Sequence, residues 1–129
     1  MKKQIDREIN IMVLGLGYVG LPLALELSNF YNVTGFDTNK KRIKELKNSK
    51  DSTNEITKKS QFKKGNIKFT YNHLDCKSSN VFIITVPTPV NKKNEPDLRN
   101  LKNASLLVAG IIKNNSIIVV ESTVYPGVT

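Results

Sequence analysis

The chain has 129 residues, of which 39% are hydrophobic and 24% are charged, and these values are typical of a single soluble globular domain. No stretch reaches the roughly 20 apolar residues that span a bilayer, and residues 1–8 lack the apolar centre of a signal peptide. We therefore expect a cytoplasmic protein that does not bind membranes. The single cysteine, Cys76, excludes an internal disulfide and a cysteine-based zinc site.

The net charge of +9 is concentrated in one segment, because eleven of the twenty Lys and Arg residues lie between Lys40 and Lys68. Nucleic-acid binding and a solvated basic face are two explanations for such a segment. Few aromatic residues are interleaved with the charges, and no zinc-finger, RNP or helix-turn-helix pattern accompanies them. We favour a solvated face and expect no nucleic-acid partner, although the charge is also compatible with attraction of an anionic small molecule.

The first part of the chain predicts a strand, a helix and a second strand. Residues 8–14 form an apolar run rich in Ile and Val, which is typical of a strand buried on both faces. Residues 18–30 follow as a helix whose apolar stripe begins at Val19. Residues 32–36 form the second strand, which ends at Asp37.

The rest of the chain continues the alternation. The predicted elements are a polar helix at 39–47, a loop at 51–54, a short surface helix at 55–64, an edge strand at 67–70, a buried strand at 80–86, a helix opened by Pro96 and Asp97 with Leu98, Leu101, Ser105, Val108 and Ile112 at helical spacing, and a strand at 116–120. Asp97 is the predicted N-cap of the last helix.

Strands that alternate with helices predict an α/β fold, a Rossmann-type doubly wound parallel sheet with the strand order 3-2-1-4-5. We find no internal repeat or linker, so residues 1–129 are expected to form one domain. The sequence stops at Thr129, directly after a strand and without a closing helix. We therefore expect a fragment of a longer protein.

Residues Gly15 to Gly20 match the pattern G-x-G-x-x-G. The motif follows a predicted strand, opens a predicted helix and precedes a strand that ends in an acid, which is the context of a dinucleotide-binding loop. Gly15 would allow the tight turn, Gly17 would leave room for a pyrophosphate, and Gly20 would let the helix pack close to the strand. The alternative is a glycine-rich turn that binds nothing.

Asp37 lies at the end of the second predicted strand, 17 residues after Gly20. A carboxylate there accepts hydrogen bonds from the adenosine ribose and repels a 2′-phosphate, so we expect NAD rather than NADP. Arg42 and two adjacent lysines would compensate a 2′-phosphate and argue in the other direction. Asp37 is also a candidate N-cap for the helix that begins near Asn39.

Two further motifs follow the fourth and fifth predicted strands, at the carboxyl edge where open parallel sheets bind ligands. They are Thr85-Val86-Pro87-Thr88-Pro89 and Glu121-Ser122-Thr123-Val124-Tyr125-Pro126-Gly127. The prolines fix the first loop, so Thr88 would present its hydroxyl group, and the alternative is a rigid loop without a ligand. The hydroxyl groups of the second motif would meet the nicotinamide end or hold a water.

Two residues with reactive side chains receive no role. Cys76 lies in a polar connection away from the predicted ligand edge, so we do not expect a catalytic thiolate. His73 has no second histidine or carboxylate at ligand spacing, and no metal site is predicted.

Three motifs together resemble the UDP-glucose/GDP-mannose dehydrogenase family. They are the run from Gly15 to Ala24, the segment from Thr85 to Pro89 with Pro96-Asp97-Leu98 after it, and the segment from Glu121 to Gly127. The second and third motifs most resemble the branch that acts on UDP-N-acetylhexosamines, including UDP-N-acetylglucosamine 6-dehydrogenases of the Vi-polysaccharide type. The resemblance covers essentially the whole chain.

The resemblance implies an NAD-dependent, four-electron oxidation of the C6 alcohol of a UDP-sugar to a uronic acid, used in making surface polysaccharide. It implies that Gly15, Leu16, Gly17, Tyr18, Val19 and Gly20 hold the pyrophosphate, that Asp37 and Arg42 hold the adenosine ribose, and that Val86, Pro87, Thr88, Pro89, Val90 and Ser122 complete the cofactor cleft. Thr123 would support a water near the reaction centre.

Family members continue through a catalytic acid, a lysine and a nucleophilic cysteine into a sugar-binding domain, and they are expected to form homodimers. The thiol is needed because aldehyde oxidation proceeds through a covalent thiohemiacetal. Cys76 does not align with that cysteine, so we expect this chain alone to bind NAD without catalysis. Two other functions remain open, a nucleotide-sensing regulatory module and the NAD-binding domain of a 3-hydroxy-acid dehydrogenase.

Overall fold

The computed structural model describes residues 8–123, in which strands and helices alternate as predicted. The strands are β1 Asn10–Leu14, β2 Asn32–Phe36, β3 Ile67–Thr70, β4 Val81–Ile84 and β5 Ile117–Val120. The α-helices are α1 Gly20–Leu27, α2 Lys40–Lys47 and α3 Arg99–Ala109, and two 3₁₀ turns lie at Lys59–Lys63 and His73–Cys76.

The five strands are parallel and form one sheet in the order β3-β2-β1-β4-β5. The predicted strand order and the Rossmann-type fold are therefore confirmed. Strand β1 lies at the centre, with β2 on one side and β4 on the other. Because the chain crosses over between these two neighbours, a crevice opens at the carboxyl ends of β1 and β4, which is where such sheets bind ligands.

The alternation of side chains along β1 supplies a core on each face of the sheet. Ile11 and Val13 pack in one cluster with residues of α1 and α2, whereas Met12 and Leu14 pack in a second cluster with residues of α3. All four side chains are at most 4% exposed. The prediction of a strand that is buried on both faces is confirmed.

Helix α1 is shorter than the helix predicted at 18–30. Tyr18 and Val19 precede its first residue and are 68% and 57% exposed, because the glycine loop occupies this stretch. The prediction that the buried stripe begins at Val19 is therefore wrong. The residues of α1 that are buried are Gly20, Leu21, Ala24 and Leu25.

The N-cap of helix α3 lies one residue later than predicted. The carboxylate of Asp97 accepts the N–H of Arg99 at 3.0 Å, but the N-cap position is Leu98, and the helix ends at Ala109, before Ile112. Its buried residues are Leu101, Ala104 and Val108, so Ser105 lies outside the buried stripe. In the part of the chain that the structure describes, no helix has both the length and the apolar character needed to cross a bilayer.

Other boundaries also shift. Of the predicted surface helix at 55–64, only the 3₁₀ turn Lys59–Lys63 is helical, and it buries Phe62. The strands predicted at 8–14, 80–86 and 116–120 are each shorter by one to three residues, whereas β2 and β3 have the predicted bounds.

Candidate dinucleotide-binding site

A cavity of about 660 Å³ opens at the carboxyl edge of the sheet, at the crossover between β1 and β4. This volume is within the range of cofactor and small-molecule sites. The predicted site residues that line it are Gly15, Leu16, Gly17, Tyr18, Val19, Asp37, Val86, Pro87, Thr88, Ser122 and Thr123. Separate segments of the sequence therefore converge on one cleft.

Two glycines shape the loop between β1 and α1. Gly15 has a φ of +93°, which L side chains rarely adopt, and its N–H donates to the carbonyl oxygen of Phe36 at 2.9 Å. Gly20 is buried beneath the loop, where a Cβ would overlap the carbonyl oxygen of Gly15. Glycine is therefore required at both positions for α1 to start beside β1.

The middle of the loop is open. A Cβ on Gly17 would meet no atom within 4 Å. Helix α1 starts after Val19, whose side chain makes no capping hydrogen bond, so amides of the first turn have no side-chain partner. This space, next to the positive end of a helix dipole, fits a pyrophosphate group.

Asp37 follows β2 and lines the cavity beside the loop. Its Oδ2 accepts the N–H of Leu16 at 3.0 Å, and its Oδ1 accepts the N–H of Asn39 at 2.9 Å. An ionised carboxylate has about four acceptor positions, so capacity remains for a ribose hydroxyl group. The N-cap of α2 is Asn39, whose side chain accepts the N–H of Arg42, and the alternative that Asp37 caps this helix is wrong.

Arg42 lies behind the loop and does not line the cavity. Its side chain is 9% exposed, its Nε donates to the carbonyl oxygen of Leu16 at 2.9 Å, and its Nη1 donates to the carboxylate of Asp51 at 2.8 Å. The structure thus corrects the position expected for Arg42 beside the ribose. Nη1 also lies 3.4 Å from Ser52 Oγ and 3.6 Å from the carboxylate of Glu45, so the guanidinium group is held behind the loop and supports the lining of the cavity from there.

The hydroxyl groups after β4 and β5 join the two loops. Ser122 Oγ donates to the carbonyl oxygen of Val86 at 2.7 Å, and Thr88 Oγ1 donates to that of Thr123 at 2.7 Å. Their protons are therefore used between the loops, and their oxygens remain acceptors towards the cleft. Residues 124–127 of the second motif lie outside the described residues.

Pro89 and Val90 do not line the cavity, contrary to expectation, because the chain turns away after Thr88. The carbonyl oxygen of Pro89 accepts the N–H of Asp97 at 2.7 Å, and Val90 pairs with Pro96 in an antiparallel bridge. Val90 is 64% exposed.

Several residues that line the cavity were not predicted as site residues. They are Leu14, Phe36, Thr38, Thr85, Asn100, Asn103, Ala104, Leu107 and Glu121. Asn100 and Asn103 lie one turn apart on α3, so helical periodicity was the signal that could have identified them. Glu121 directly follows β5, where its N–H donates to the carbonyl oxygen of Ile84 at 2.9 Å, and its place at the carboxyl edge was a comparable signal.

Cys76 is fully buried in the core cluster on the α3 side of the sheet and does not line the cavity. Burial raises the pKa of its thiol to about 12, with a smaller contribution from the charge of Asp75. The thiol is therefore protonated at neutral pH, as expected of a cysteine without a catalytic role. Within residues 8–123, no cluster of three or more His, Cys, Asp or Glu side chains is placed to hold a metal ion.

Comparison with known proteins gives concordant matches. The family model described as UDP-glucose/GDP-mannose dehydrogenase family, NAD binding domain, matches residues 9–129. Protein CapL of Staphylococcus aureus is 52% identical over 120 residues, and the UDP-N-acetyl-D-glucosamine 6-dehydrogenase of Salmonella typhi is 48% identical over 122 residues. The structure of UDP-D-ManNAc dehydrogenase from Pyrococcus horikoshii has a TM-score of 0.86 at 36% identity.

These matches cover nearly all of this chain but a minor part of each relative. The shares of this chain are 93%, 95% and 94%, and the corresponding shares of CapL, the Salmonella typhi enzyme and the Pyrococcus horikoshii enzyme are 28%, 29% and 30%. The chain thus spans less than a third of the length of these relatives.

Proposed function

This chain belongs to the UDP-glucose/GDP-mannose dehydrogenase family, and we propose on that basis that residues 1–129 form one NAD-binding domain of a UDP-N-acetylhexosamine 6-dehydrogenase. NAD is the cofactor of this domain family. The proposal extends from the domain to the substrate of the complete enzyme, whose remaining parts lie outside this sequence.

The cavity at the crossover between β1 and β4 is the observation that carries the proposal. The open loop at Gly17, beside the uncapped start of α1, would hold the pyrophosphate, and Asp37 would hold the adenosine ribose. The loops that carry Thr88 and Ser122 would complete the nicotinamide half, with Thr123 supporting a water near the reaction centre. Bound NAD supplies a hydride acceptor at that end.

The charges around Asp37 support NAD over NADP. A 2′-phosphate would need a free cation near this carboxylate, but Arg42 is paired with Asp51 at 2.8 Å. Lys40 Nζ lies 5.1 Å from the centre of the Tyr71 ring, in a cation–π contact. Arg42 is therefore paired behind the loop and Lys40 lies against Tyr71, whereas the carboxylate of Asp37 lines the cavity where the ribose would lie.

The substrate assignment rests on the relatives. One is named as a UDP-N-acetyl-D-glucosamine 6-dehydrogenase and another as a UDP-D-ManNAc dehydrogenase. Oxidation of a C6 alcohol to a carboxylate removes four electrons, which two NAD molecules accept as two hydrides while water supplies the added oxygen. The product would be a UDP-linked uronic acid for surface polysaccharide, and the complete enzyme would be a homodimer.

The chemistry of the complete enzyme requires groups beyond this chain. Cys76 is buried, protonated at neutral pH and remote from the cavity, so it does not supply the thiolate that aldehyde oxidation needs. We expect residues 1–129 alone to bind NAD and to oxidise no sugar.

Calorimetric titration of this chain with NAD and with NADP tests the cofactor site. We expect saturable binding of NAD and weaker binding of NADP. Asp37→Asn keeps an acceptor for the Leu16 N–H but removes the negative charge, so it should narrow the preference for NAD. A parent chain that prefers NADP, or that binds neither dinucleotide at millimolar concentration, would contradict the proposal.

The full-length protein tests the substrate. With NAD present, a UDP-N-acetylhexosamine should yield two NADH per sugar and a UDP-linked uronic acid. Oxidation of a 3-hydroxy acid instead would place the chain in a different class of dehydrogenase. A full-length protein that binds NAD tightly but reduces none of it would favour a nucleotide-sensing module.

A further inference from the structure

The loop after α2 contains a buried carboxylate, although its sequence is typical of an exposed turn. The side chain of Asp51 has 0% exposure. Its Oδ1 accepts the N–H of Thr53 at 3.0 Å, Oγ1 of Thr53 at 2.7 Å and Nη1 of Arg42 at 2.8 Å, and its Oδ2 accepts the N–H of Ile56 at 2.9 Å. Asp51 does not line the cavity.

Arg42 connects this carboxylate to the glycine loop. Its Nε donates to the carbonyl oxygen of Leu16, and the N–H of Leu16 donates to Asp37. The backbone of Leu16 is therefore held at both its polar groups. Each hydrogen bond involves a charged side chain, and such bonds are stronger and more directional than neutral ones.

The hydrogen bond from Arg42 to the Leu16 carbonyl oxygen also sets the direction of the N–H of Gly17, because both groups belong to one planar peptide unit. In a trans peptide, the carbonyl oxygen and the following N–H point in opposite directions in one plane. Since Arg42 binds the Leu16 carbonyl oxygen from behind the loop, the N–H of Gly17 is directed to the opposite side. Gly17 lines the cavity at the position where a pyrophosphate fits.

Arg42 does not obtain a full set of partners in this position. Its Nη2 is buried without a hydrogen-bond partner, and within residues 8–123 it is the one buried side-chain nitrogen or oxygen in that condition. Its other donors are bound: Nε donates to the carbonyl oxygen of Leu16 and Nη1 to Asp51, so these two contacts orient the guanidinium group.

We propose that Asp51 is a positioning residue of the cofactor site: it holds Arg42 on the Leu16 carbonyl oxygen and so directs the Gly17 amide towards the pyrophosphate of the dinucleotide. This inference rests on the proposed function, because it requires the cavity to bind NAD. Asp51 acts through Arg42 and touches no part of the cofactor.

The test compares Asp51→Asn with Thr53→Ala in this chain. Both variants weaken the hydrogen bonding of the 51–56 loop, but only the first removes the carboxylate that pairs with Arg42 at 2.8 Å, and it leaves Glu45, at 3.6 Å, as the remaining anionic neighbour. Asp51→Asn should weaken the binding of ADP-ribose roughly tenfold, the effect expected for one lost charge-assisted hydrogen bond. It should leave the much weaker binding of adenosine, which has no phosphate, unchanged, and Thr53→Ala should change neither affinity by more than about twofold.

The amide resonance of Gly17 without any ligand provides a second readout. We expect Asp51→Asn to shift this resonance and Thr53→Ala to leave it in place. If Asp51→Asn does not fold, Arg42→Lys serves instead, because a lysine keeps the charge beside Asp51 but lacks the planar fork that reaches both partners.

The possible results distinguish failure of the positioning role of Asp51 from failure of the proposed NAD-binding function. A parent chain that binds neither NAD nor ADP-ribose would contradict the proposed function, and the inference with it. A parent chain that binds both, together with an Asp51→Asn variant of unchanged affinity and unchanged Gly17 resonance, would overturn the positioning role alone. Equal losses for ADP-ribose and adenosine would also overturn it, since the effect would then not be specific to phosphate.

Discussion

The carbonyl oxygen of Gly15 occupies the space that a side chain on Gly20 would need. This contact brings the first turn of α1 against the end of β1, and the positive φ of Gly15 turns the chain to make it possible. The two glycines therefore have a structural task, whereas Gly17 between them has open space in front of it. The three glycines of one motif can accordingly be separated by experiment.

Gly20→Ala should destabilise the fold. The added Cβ overlaps backbone at Gly15, and backbone cannot move aside as the end of a flexible side chain can, so we expect a loss of about 3 kcal/mol or more. Urea unfolding followed by circular dichroism measures it. A variant with the stability of the parent would show that α1 can start elsewhere.

In contrast to Gly20→Ala, Gly17→Ala should leave the fold intact and abolish the binding of NAD. Its Cβ meets no protein atom, and alanine restricts the unfolded chain, so the free energy of unfolding should stay level or rise by at most about 1 kcal/mol. The methyl group would occupy the space assigned to the pyrophosphate. Calorimetry with NAD checks the prediction, and unaltered affinity would contradict the assigned position of the phosphates.

Asp51 should make stability depend on acid pH. Burial acts to raise the pKa of this carboxyl group, but hydrogen bonds from Thr53, Ile56 and Arg42 outweigh burial and lower the pKa from 3.8 to about 2. The depressed value stabilises the folded state above pH 3.8, and this contribution disappears as the pH falls towards 2. The parent should lose about 2 kcal/mol more than Asp51→Asn over this interval. If the free energies of unfolding of the two proteins fell in parallel with pH, the pKa of Asp51 would not be lowered in the folded state.

Thr85→Val should weaken the joint between β4 and the glycine loop. The buried Oγ1 of Thr85 lies 2.9 Å from the carbonyl oxygen of Leu14 and 2.7 Å from that of Gly15. Valine keeps the shape but leaves these acceptors without the hydroxyl group, at a cost of about 1–3 kcal/mol. Ser116→Ala is the control, since its exposed hydroxyl donates to Lys113 and should contribute less than about 0.5 kcal/mol. Equal urea midpoints for the two variants would refute this difference.

The strand order was accessible from the sequence because its signals are local. The apolar run of β1, the glycine pattern and the acid at Asp37 each occupy a few consecutive residues, and parallel connection rules then limit the arrangement. The exposure of Val19 was not accessible in the same way. Its apolar side chain continues the helical stripe in sequence, but the loop that precedes α1 takes it out of the core.

The burial of Asp51 and its pairing with Arg42 could not be predicted from sequence patterns. Asp-Ser-Thr-Asn is typical of an exposed turn, and no periodicity marks a buried ion pair. The pair forms because Arg42, nine residues earlier on α2, extends between the glycine loop and this turn. The prediction that Arg42 lies beside the ribose was wrong for the same reason. The fold brings the Leu16 carbonyl oxygen and Asp51 to its guanidinium group, and neither contact is visible in the sequence.

Because Cys76 is buried, the rate at which its thiol reacts with a labelling reagent reports local opening of the core. The sequence contains one cysteine and no tryptophan, so a thiol reagent has a single target, in a molecule whose fluorescence would report little. In the folded state the core cluster around β4 and α3 buries that target, so labelling requires a local opening that exposes Cys76. The labelling rate under native conditions would thus report how often these openings occur. A slower rate with NAD bound would measure how much the ligand stabilises the core on the α3 side of the sheet against local opening.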